Sequence, residues 1–316
     1  AQSATEPALV TQLSHAVMTR MLRSPGVLSP FLLVSLGSAA SLFRVQQSAQ
    51  PRKPVQWFHV HKSLGSSICA VARQMGERVV APDVNCDSLD LGDTYEQRFD
   101  KQQVTCSDRR SLFAERGFTW GALETQLEPG DLCTGDFIYA MVLREPVNRL
   151  ESQVNYRVDE DHLSPPCRYD DIIARIRFAR TSPSFESQCR LQAPAYDNYV
   201  VRLLGGKETI DLPLGGVNSS HYDAAMAVLR QFDLVIPMED ISSNQAVLEM
   251  NRAFGWNLQS QNLAPHYSWT GRVEHAKERH AVMFSEQEVE HLRHINRFDI
   301  ALYDHVKEQF RSRGGD

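Results

Sequence analysis

The stretch WFHVHKSLGSSICA, residues 57–70, places a lysine and a turn of small residues directly after a short apolar and aromatic run. A strand that ends in such a turn and leads into a helix presents several backbone N–H groups at the positive end of the helix dipole, where anions bind. The small side chains leave room for close approach, and Lys62 adds a point charge. We therefore expect a phosphate or sulfate site here, and a plain turn with a surface lysine is an equally good interpretation.

A second stretch, MVLREPVNRLESQVNYR at residues 141–157, has the same design. An apolar run ends at Arg144, Pro146 redirects the chain, and Ser152 lies about two turns into the helix that follows. An arginine fork and a serine hydroxyl that converge in this way suit a second phosphate. The alternative is an Arg–Glu surface pair followed by a helix cap. The Walker pattern GxxxxGK[ST] is absent, which disfavours a kinase that uses ATP.

Together the two stretches resemble the 5′-phosphosulfate and 3′-phosphate motifs of sulfotransferases that use 3′-phosphoadenosine 5′-phosphosulfate (PAPS). The first motif is similar to FHVHKSLGSS and the second to VLREPVNRLESQVNY. The resemblance continues through DNYVVRLLGG, FDLVIPMEDISSNQAVLEMNRAFGW and INRFDIALYDHVKEQF, and it covers residues 54–313. Among Golgi carbohydrate sulfotransferases, the heparan sulfate 6-O-sulfotransferase type is the nearest in character.

The resemblance implies roles for individual residues. Lys62 would stabilise the negative charge that develops on the leaving nucleotide, as a catalytic residue. A late loop, HYSWTGR, would close over the nucleotide through Thr270 and Arg272, although an ordinary polar loop is as good an interpretation. No metal is implied. The residues expected to bind the cofactor PAPS are Lys62, Ser63, Leu64, Gly65, Ser66, Ser67, Arg144, Ser152, Thr270 and Arg272.

The general base is the point at which this chain departs from the resemblance. The similar enzymes carry a histidine between the two phosphate motifs, and the corresponding stretch GFTWGALETQL, residues 117–127, has none. Glu124 is the catalytic candidate there, against a solvated glutamate on a helix. Strand alternation places His59 and His61 on one face, with His59 expected in the core. Asp136, before the second strand, is a further candidate.

Other polar residues have structural alternatives. Asn198 and Arg202 lie one helical turn apart in a segment that the resemblance places near the nucleotide, and a salt-bridge partner on a helix is the equal alternative. Four arginines form a group that would suit an anionic glycan. Neighbouring Asp170 and Asp171 make a solvated face the default interpretation of that group. The four are Arg168, Arg175, Arg177 and Arg180.

The elements that position these residues alternate between strand and helix patterns. Alternation of this kind predicts an α/β fold, and the resemblance implies a P-loop-like three-layer sandwich whose central, mainly parallel sheet is flanked by helices. A capping box at Ser285 and Glu288 opens the clearest helix. Strands are predicted at 55–60, 137–143 and 232–238, and helices at 66–76, 147–157, 196–204, 221–231, 243–254 and, as one long helix, 285–310.

Residues 1–54 are expected to form a targeting or signal-anchor segment with a stem, and residues 55–316 the sulfotransferase domain. Arg20 and Arg23 precede an uncharged apolar run of 17 residues from Val27 to Phe43, at the lower limit for crossing a bilayer. A buried core helix is the alternative. The expected location is the Golgi membrane, as a single-pass type II protein with a luminal catalytic domain, or the exterior after signal cleavage.

Six cysteines, at positions 69, 86, 106, 133, 167 and 189, permit disulfides in such a compartment, and their spacing shows no zinc pattern. Their pairing stays open, and Cys69 is expected on a buried helix face as a free thiol. The sequon at Asn218 would be glycosylated in the lumen. A net charge of −6 disfavours a general nucleic-acid partner.

The expected function is therefore transfer of a sulfuryl group from PAPS to a hydroxyl of a glycan acceptor. The missing histidine and the net negative charge leave a second enzymatic interpretation open, in which the same donor serves a lipid, a small alcohol or a tyrosine. A third interpretation is a non-catalytic protein that binds a nucleotide or a glycan through intact phosphate contacts.

Overall fold

The computed structural model describes residues 52–81, 85–87, 105–128, 130–160, 193–263 and 284–314. The strands in these residues form one parallel sheet with the order β2-β1-β3-β4. They are β1 (Val55–Phe58), β2 (Trp120–Leu123), β3 (Ile138–Leu143) and β4 (Leu234–Pro237). Val55 pairs with both Trp120 and Ile138, so the carboxyl ends of the strands meet at one edge. The predicted α/β fold, a parallel sheet flanked by helices, is confirmed.

Nine α-helices flank this sheet in the described part of the chain. They are α1 (Gly65–Gln74), α2 (Cys106–Arg116), α3 (Pro146–Glu160), α4 (Tyr199–Leu204), α5 (Lys207–Ile210), α6 (Ser219–Leu229), α7 (Asn244–Phe254), α8 (Glu286–Ile295) and α9 (Arg297–Ser312). Short 3₁₀ helices cover Ala193–Ala195, Met238–Asp240 and Ser260–Leu263. The sequence patterns had not indicated α2 or β2.

Strand residues alternate between two apolar cores, because a sheet covered on both faces must bury successive side chains in opposite directions. The first core contains Val55 and Trp57 and is packed by α1 and α7. The second core contains Phe58 and is packed by α2, α4 and α6. Helix α9 contributes Phe310 to the first core and Leu302 to the second. This double burial explains the continuous apolar run of β3.

The single long helix predicted for residues 285–310 is wrong, because Asn296 divides it into α8 and α9. Asn296 is buried, and its side-chain amide donates to the carbonyls of Tyr196 and Leu292. The Oδ1 of Asn198 accepts the backbone N–H groups of Phe298 and Asp299, at the start of α9. Side chains from another segment thus satisfy amides that a continuous helix would have paired internally. The predicted capping box at Ser285 is confirmed.

Two disulfides are present among the described cysteines: Cys69–Cys86 and Cys106–Cys133. The prediction that Cys69 remains a free thiol is wrong, although its burial on α1 is confirmed. Residues 85–87 reach α1 because they run beside β2, where the Cys86 carbonyl accepts the Ala122 N–H. Cys167 and Cys189 lie outside the described residues.

Several predictions also fall outside the described residues. They concern the targeting segment up to residue 51, the loop with Thr270 and Arg272, and the arginine group Arg168, Arg175, Arg177 and Arg180. Within the described ranges, no helix has the length and apolar character needed to cross a membrane.

Candidate functional site

The turn between β1 and α1 has an unusual backbone. Lys62 and Leu64 adopt positive φ angles of 65° and 64°, in the left-handed region that residues other than glycine seldom occupy. The Ser63 N–H donates to the Val60 carbonyl and closes the turn between them. The chain therefore holds two non-glycine residues in a costly conformation at the carboxyl edge of the sheet.

Gly65 is needed in this turn for a reason that the sequence did not reveal. A β-carbon at Gly65 would overlap the imidazole ring of His59, which occupies that space. His59 fills the space that the missing side chain of Gly65 leaves, so the expectation that this space admits an anion is wrong. His59 is 6% exposed, so its predicted position in the core is confirmed.

The first turn of α1 retains features of an anion site. Its N-cap residue, Leu64, provides no side-chain cap, and no acidic residue occupies the turn. The Ser63 hydroxyl is buried and has no hydrogen-bond partner among the described residues. The Ser66 hydroxyl instead donates to Asn85 Oδ1 at 2.6 Å, and Ser67 is half-buried. A buried orphan hydroxyl beside an uncapped helix start favours an anionic ligand.

Arg144 reaches this turn from the neighbouring strand. It follows β3, which pairs directly with β1, and its Nη1 donates to the Lys62 carbonyl at 3.3 Å. The side chains of Arg144 and Lys62 are both half-buried. The structure thus brings together the two cationic residues that the sequence analysis selected, although 82 positions separate them in the chain.

The residues of the second stretch that follow Arg144 lead into helix α3 and make other contacts. Ser152 lies in α3 and is half-buried. The alternative interpretation included a helix cap here, and Glu145 provides one, since its Oε2 accepts the Asn148 N–H at 2.8 Å at the start of α3. The Arg293 guanidinium from α8 lies 3.4 Å from the other oxygen of Glu145. The cap therefore supports the segment that carries Arg144 and Ser152.

Glu239, which follows β4, and Tyr303 of α9 lie at the β4 end of the same edge of the sheet. Glu239 Oε1 accepts the Glu145 N–H at 3.2 Å, and Oε2 accepts the Tyr303 hydroxyl. Burial and the adjacent Glu239 carboxylate raise the pKa of Tyr303, so this phenol stays protonated as a donor. Neither residue was selected from the sequence, because each depends on contacts between distant segments.

Glu124 lies at the end of β2, beside two histidines that follow β1. Glu124 Oε2 is 3.3 Å from His59 Nδ1, and Oε1 is 2.7 Å from His61 Nε2. The imidazole rings stack with centroids 6.0 Å apart and an angle of 11° between their planes. The predicted common face of the two histidines is confirmed. The interpretation of Glu124 as a solvated helix residue is wrong, since its side chain is only 12% exposed.

The electrostatics of this group fix the charge of Glu124. Burial raises the pKa of the Glu124 carboxyl, but the neighbouring imidazoles of His59 and His61 outweigh burial and hold the pKa well below its ordinary value. Glu124 is therefore a carboxylate. Asp136 lies before β3, at the opposite edge of the sheet, and pairs with Arg110 at 2.9 Å. It cannot share a site with Glu124, so its candidacy as the base is wrong.

Asn198 and Arg202 form a structural network. Arg202 is fully buried and donates to the Asp197 carboxylate at 2.7 Å, and its other N–H groups donate to backbone carbonyls. Asn198 caps α9, as described above. The salt-bridge interpretation of Arg202 is therefore confirmed, and the expected position of this segment near the nucleotide stays a prediction.

No family model and no curated protein matches this chain. In the described part, no group of three or more His, Cys, Asp and Glu side chains is arranged to hold a metal ion.

Proposed function

We propose that this chain is a sulfotransferase that moves a sulfuryl group from PAPS to a hydroxyl of a glycan. The hydrogen bond from Arg144 to the Lys62 carbonyl carries the proposal, because it brings two anion-binding stretches to neighbouring points of one edge. PAPS is a ligand with two anionic ends, so its donor site needs two such groups close together. The resemblance of both stretches to the PAPS motifs supports the same conclusion.

The residues at this edge suit the donor. The buried Ser63 hydroxyl and the uncapped amides of α1 would hold the 5′-phosphosulfate, with Lys62 beside them. The Arg144 fork would bind the 3′-phosphate, with Ser152 further along α3. When bound, PAPS supplies the sulfuryl group and a nucleotide as the leaving group.

The work left to the chain is mainly positioning and charge stabilisation. The Lys62 ammonium would stabilise negative charge on the departing nucleotide. A basic side chain must also take the proton from the acceptor hydroxyl. Glu124 and its histidine partners lie at the same edge of the sheet, where that proton would be released.

The disulfides support a location in the secretory pathway. The structure contains two disulfides, Cys69–Cys86 and Cys106–Cys133. Disulfides persist in oxidising compartments and are rare in cytosolic proteins. We propose a luminal Golgi catalytic domain, anchored or secreted according to the fate of the N-terminal segment. In the Golgi lumen the enzyme would meet the hydroxyl groups of glycans.

The donor is tested by thermal unfolding of the full chain with 3′,5′-diphosphoadenosine and, separately, with ATP. A ligand present at 100 times its Kd stabilises the folded state by about 2.7 kcal/mol, which raises the Tm by several degrees for a chain of this size. We expect this shift with the diphosphoadenosine and a much smaller one with ATP. Equal shifts with both nucleotides would argue against the PAPS site.

The acceptor is tested by transfer of labelled sulfate from PAPS to a panel of glycans, lipids and tyrosine peptides. We expect label in the glycans and loss of turnover in Lys62→Ala, with nucleotide binding retained. Label in lipids or peptides would change the acceptor class but retain the donor. Tight nucleotide binding without transfer to any acceptor or to water would identify a non-catalytic binding protein.

A further inference from the structure

We infer that His61 is the residue that accepts the proton of the acceptor hydroxyl, and that Glu124 is the positioning residue that holds His61 for this step. The inference rests on the proposed function and deepens it. It reassigns the base from the carboxylate that the sequence indicated to the imidazole beside it. The geometry of three side chains, His59, His61 and Glu124, carries the inference.

Glu124 is poorly placed to meet a substrate. One carboxylate oxygen lies 3.3 Å from His59 Nδ1, without a hydrogen bond between them, and the other lies 2.7 Å from His61 Nε2, so an imidazole stands in front of each oxygen. The side chain is 12% exposed. An acceptor hydroxyl would have to displace a histidine to reach either oxygen.

His61 has the access that Glu124 lacks. Its side chain is 38% exposed, against 6% for His59. Nε2 is the ring nitrogen that faces Glu124, so in the neutral imidazole the lone pair lies on Nδ1. Among the described residues, Nδ1 has no hydrogen-bond partner. A neutral imidazole whose other nitrogen donates to a carboxylate is the arrangement of a general base.

The position of His61 agrees with this role. His61 directly precedes Lys62, and the Lys62 carbonyl accepts an N–H of the Arg144 guanidinium. His61 therefore lies beside the proposed donor site. His59 holds the other side of Glu124 and packs against Gly65 in the phosphate turn. The carboxylate is thereby fixed between two elements, β2 and the turn. The low pKa of Glu124, caused by both histidines against the effect of burial, keeps it an acceptor for the His61 N–H.

The acceptor oxygen forms a bond to sulfur while its proton moves to Nδ1 of His61. The bond between sulfur and the bridging oxygen of the donor breaks, and its electron pair stays on the nucleotide phosphate beside Lys62. Glu124 stabilises the imidazolium that results, and His61 afterwards releases the proton to water.

The test compares His61→Ala and Glu124→Gln with the unchanged full chain. Turnover is measured with PAPS and the best acceptor of the panel, or with water if no acceptor is sulfated, since hydrolysis also releases a proton from the attacking oxygen. We expect kcat to fall about 100-fold or more in His61→Ala, within the range of general base catalysis. Added imidazole should restore part of that loss. Affinity for 3′,5′-diphosphoadenosine should stay within about twofold.

For Glu124→Gln we expect a fall in kcat of about 10-fold to 100-fold, the range seen when the partner that orients a metal-bound histidine is lost. Imidazole should give no rescue, because the His61 ring is still present. His294→Ala, at an exposed position of α8, is the matched control and should leave kcat unchanged.

Unchanged kcat in His61→Ala would overturn the assignment. A second result would also overturn it: imidazole fails to restore the activity of His61→Ala, and Glu124→Gln lowers kcat more than His61→Ala does. These outcomes are separate from failure of the proposed function. That failure would appear in the unchanged chain, as equal stabilisation by ATP and 3′,5′-diphosphoadenosine.

Discussion

The imidazole of His59 lies against the α-carbon of Gly65, in the space that a β-carbon would fill. This contact joins the end of β1 to the first turn of α1, and His59 in turn lies beside Glu124, which follows β2. The turn between β1 and α1 and the Glu124 carboxylate therefore belong to one packed unit. Its integrity can be tested at the glycine.

Gly65→Ala should push the His59 ring or the turn out of place. Overpacking of this kind costs about 1–3 kcal/mol of unfolding free energy, which denaturant unfolding would measure. Nucleotide affinity should fall as well, because the α1 amides move. The matched control is Gly135→Ala, where a β-carbon meets no atom within 4 Å and φ is not positive. Equal effects of both substitutions would contradict the contact.

Arg144→Ala should weaken binding of 3′,5′-diphosphoadenosine by about 1.5–3 kcal/mol, the usual loss for a hydrogen bond to a charged group. Calorimetric titration would measure it. Stability should change little, since among the described residues Arg144 donates to a single carbonyl, at 3.3 Å. The control is Arg252→Ala on α7, where the arginine side chain is 78% exposed and pairs with Glu249. An unchanged Kd in Arg144→Ala would remove Arg144 from the donor site.

Removing the Cys69–Cys86 disulfide by a double alanine substitution should cost about 3 kcal/mol of stability, the value for a loop of this length. It should also weaken nucleotide binding, because the bridge ties α1 to the segment beside β2. Removing Cys106–Cys133 should cost a similar stability and leave nucleotide affinity unchanged. Thermal unfolding of both variants would measure the loss of stability, and calorimetric titration would measure their nucleotide affinities. Equal affinity losses would show that the first bridge has no particular connection to the site.

Asp299 should make stability depend on pH. Burial raises its pKa to about 6, against the effect of the Val200 and Val201 N–H groups that its oxygens accept, and its ordinary value is 3.8. Because the folded pKa is the higher one, the stabilisation that protonated Asp299 contributes is complete below 3.8 and is lost as the pH rises through 6.

The unfolding free energy of the unchanged chain, relative to Asp299→Asn, should therefore fall by roughly 2–3 kcal/mol between pH 4 and pH 8. Urea unfolding across this range would measure the difference. Asp304→Asn, at an exposed position of α9, is the control and should change stability by less than about 0.5 kcal/mol. A difference that stays constant with pH would contradict the raised pKa of Asp299.

Asn218 should carry an N-linked glycan when the chain is produced in a secretory pathway. The residue is exposed, and it caps α6 through Oδ1, which accepts the Ser220 and His221 N–H groups. Glycosylation uses the amide nitrogen, so the cap and the glycan are compatible. Endoglycosidase treatment should increase gel mobility, and Asn218→Asp should abolish the change while it retains the cap. Unchanged mobility would show that the sequon is not used.

The sequence predicted those parts of the fold that local pattern determines. The apolar runs of β3 and β4 and the capping box at Ser285 are local signals, and they appear where expected. Strand β2 escaped prediction because WGAL is short and contains glycine, and its extended form depends on pairing with β1.

The site shows the same division. Lys62 and Arg144 were recognisable because each ends an apolar run. The link from His59 and His61 to Glu124 was not, since it joins segments more than 60 positions apart. The division of the terminal helix at Asn296 has the same origin, because the Asn198 side chain that caps α9 comes from about 100 positions earlier.

Helix α9 fills both faces of the sheet, with Phe310 on one side and Leu302 and Val306 on the other. During synthesis, the first face cannot be fully covered until Phe310 has left the ribosomal tunnel, and the second cannot be fully covered until Val306 has done so. The nascent chain must therefore wait with β1, β3 and β4 already made but incompletely covered. Chaperones that bind exposed apolar strands would have their longest opportunity in that interval.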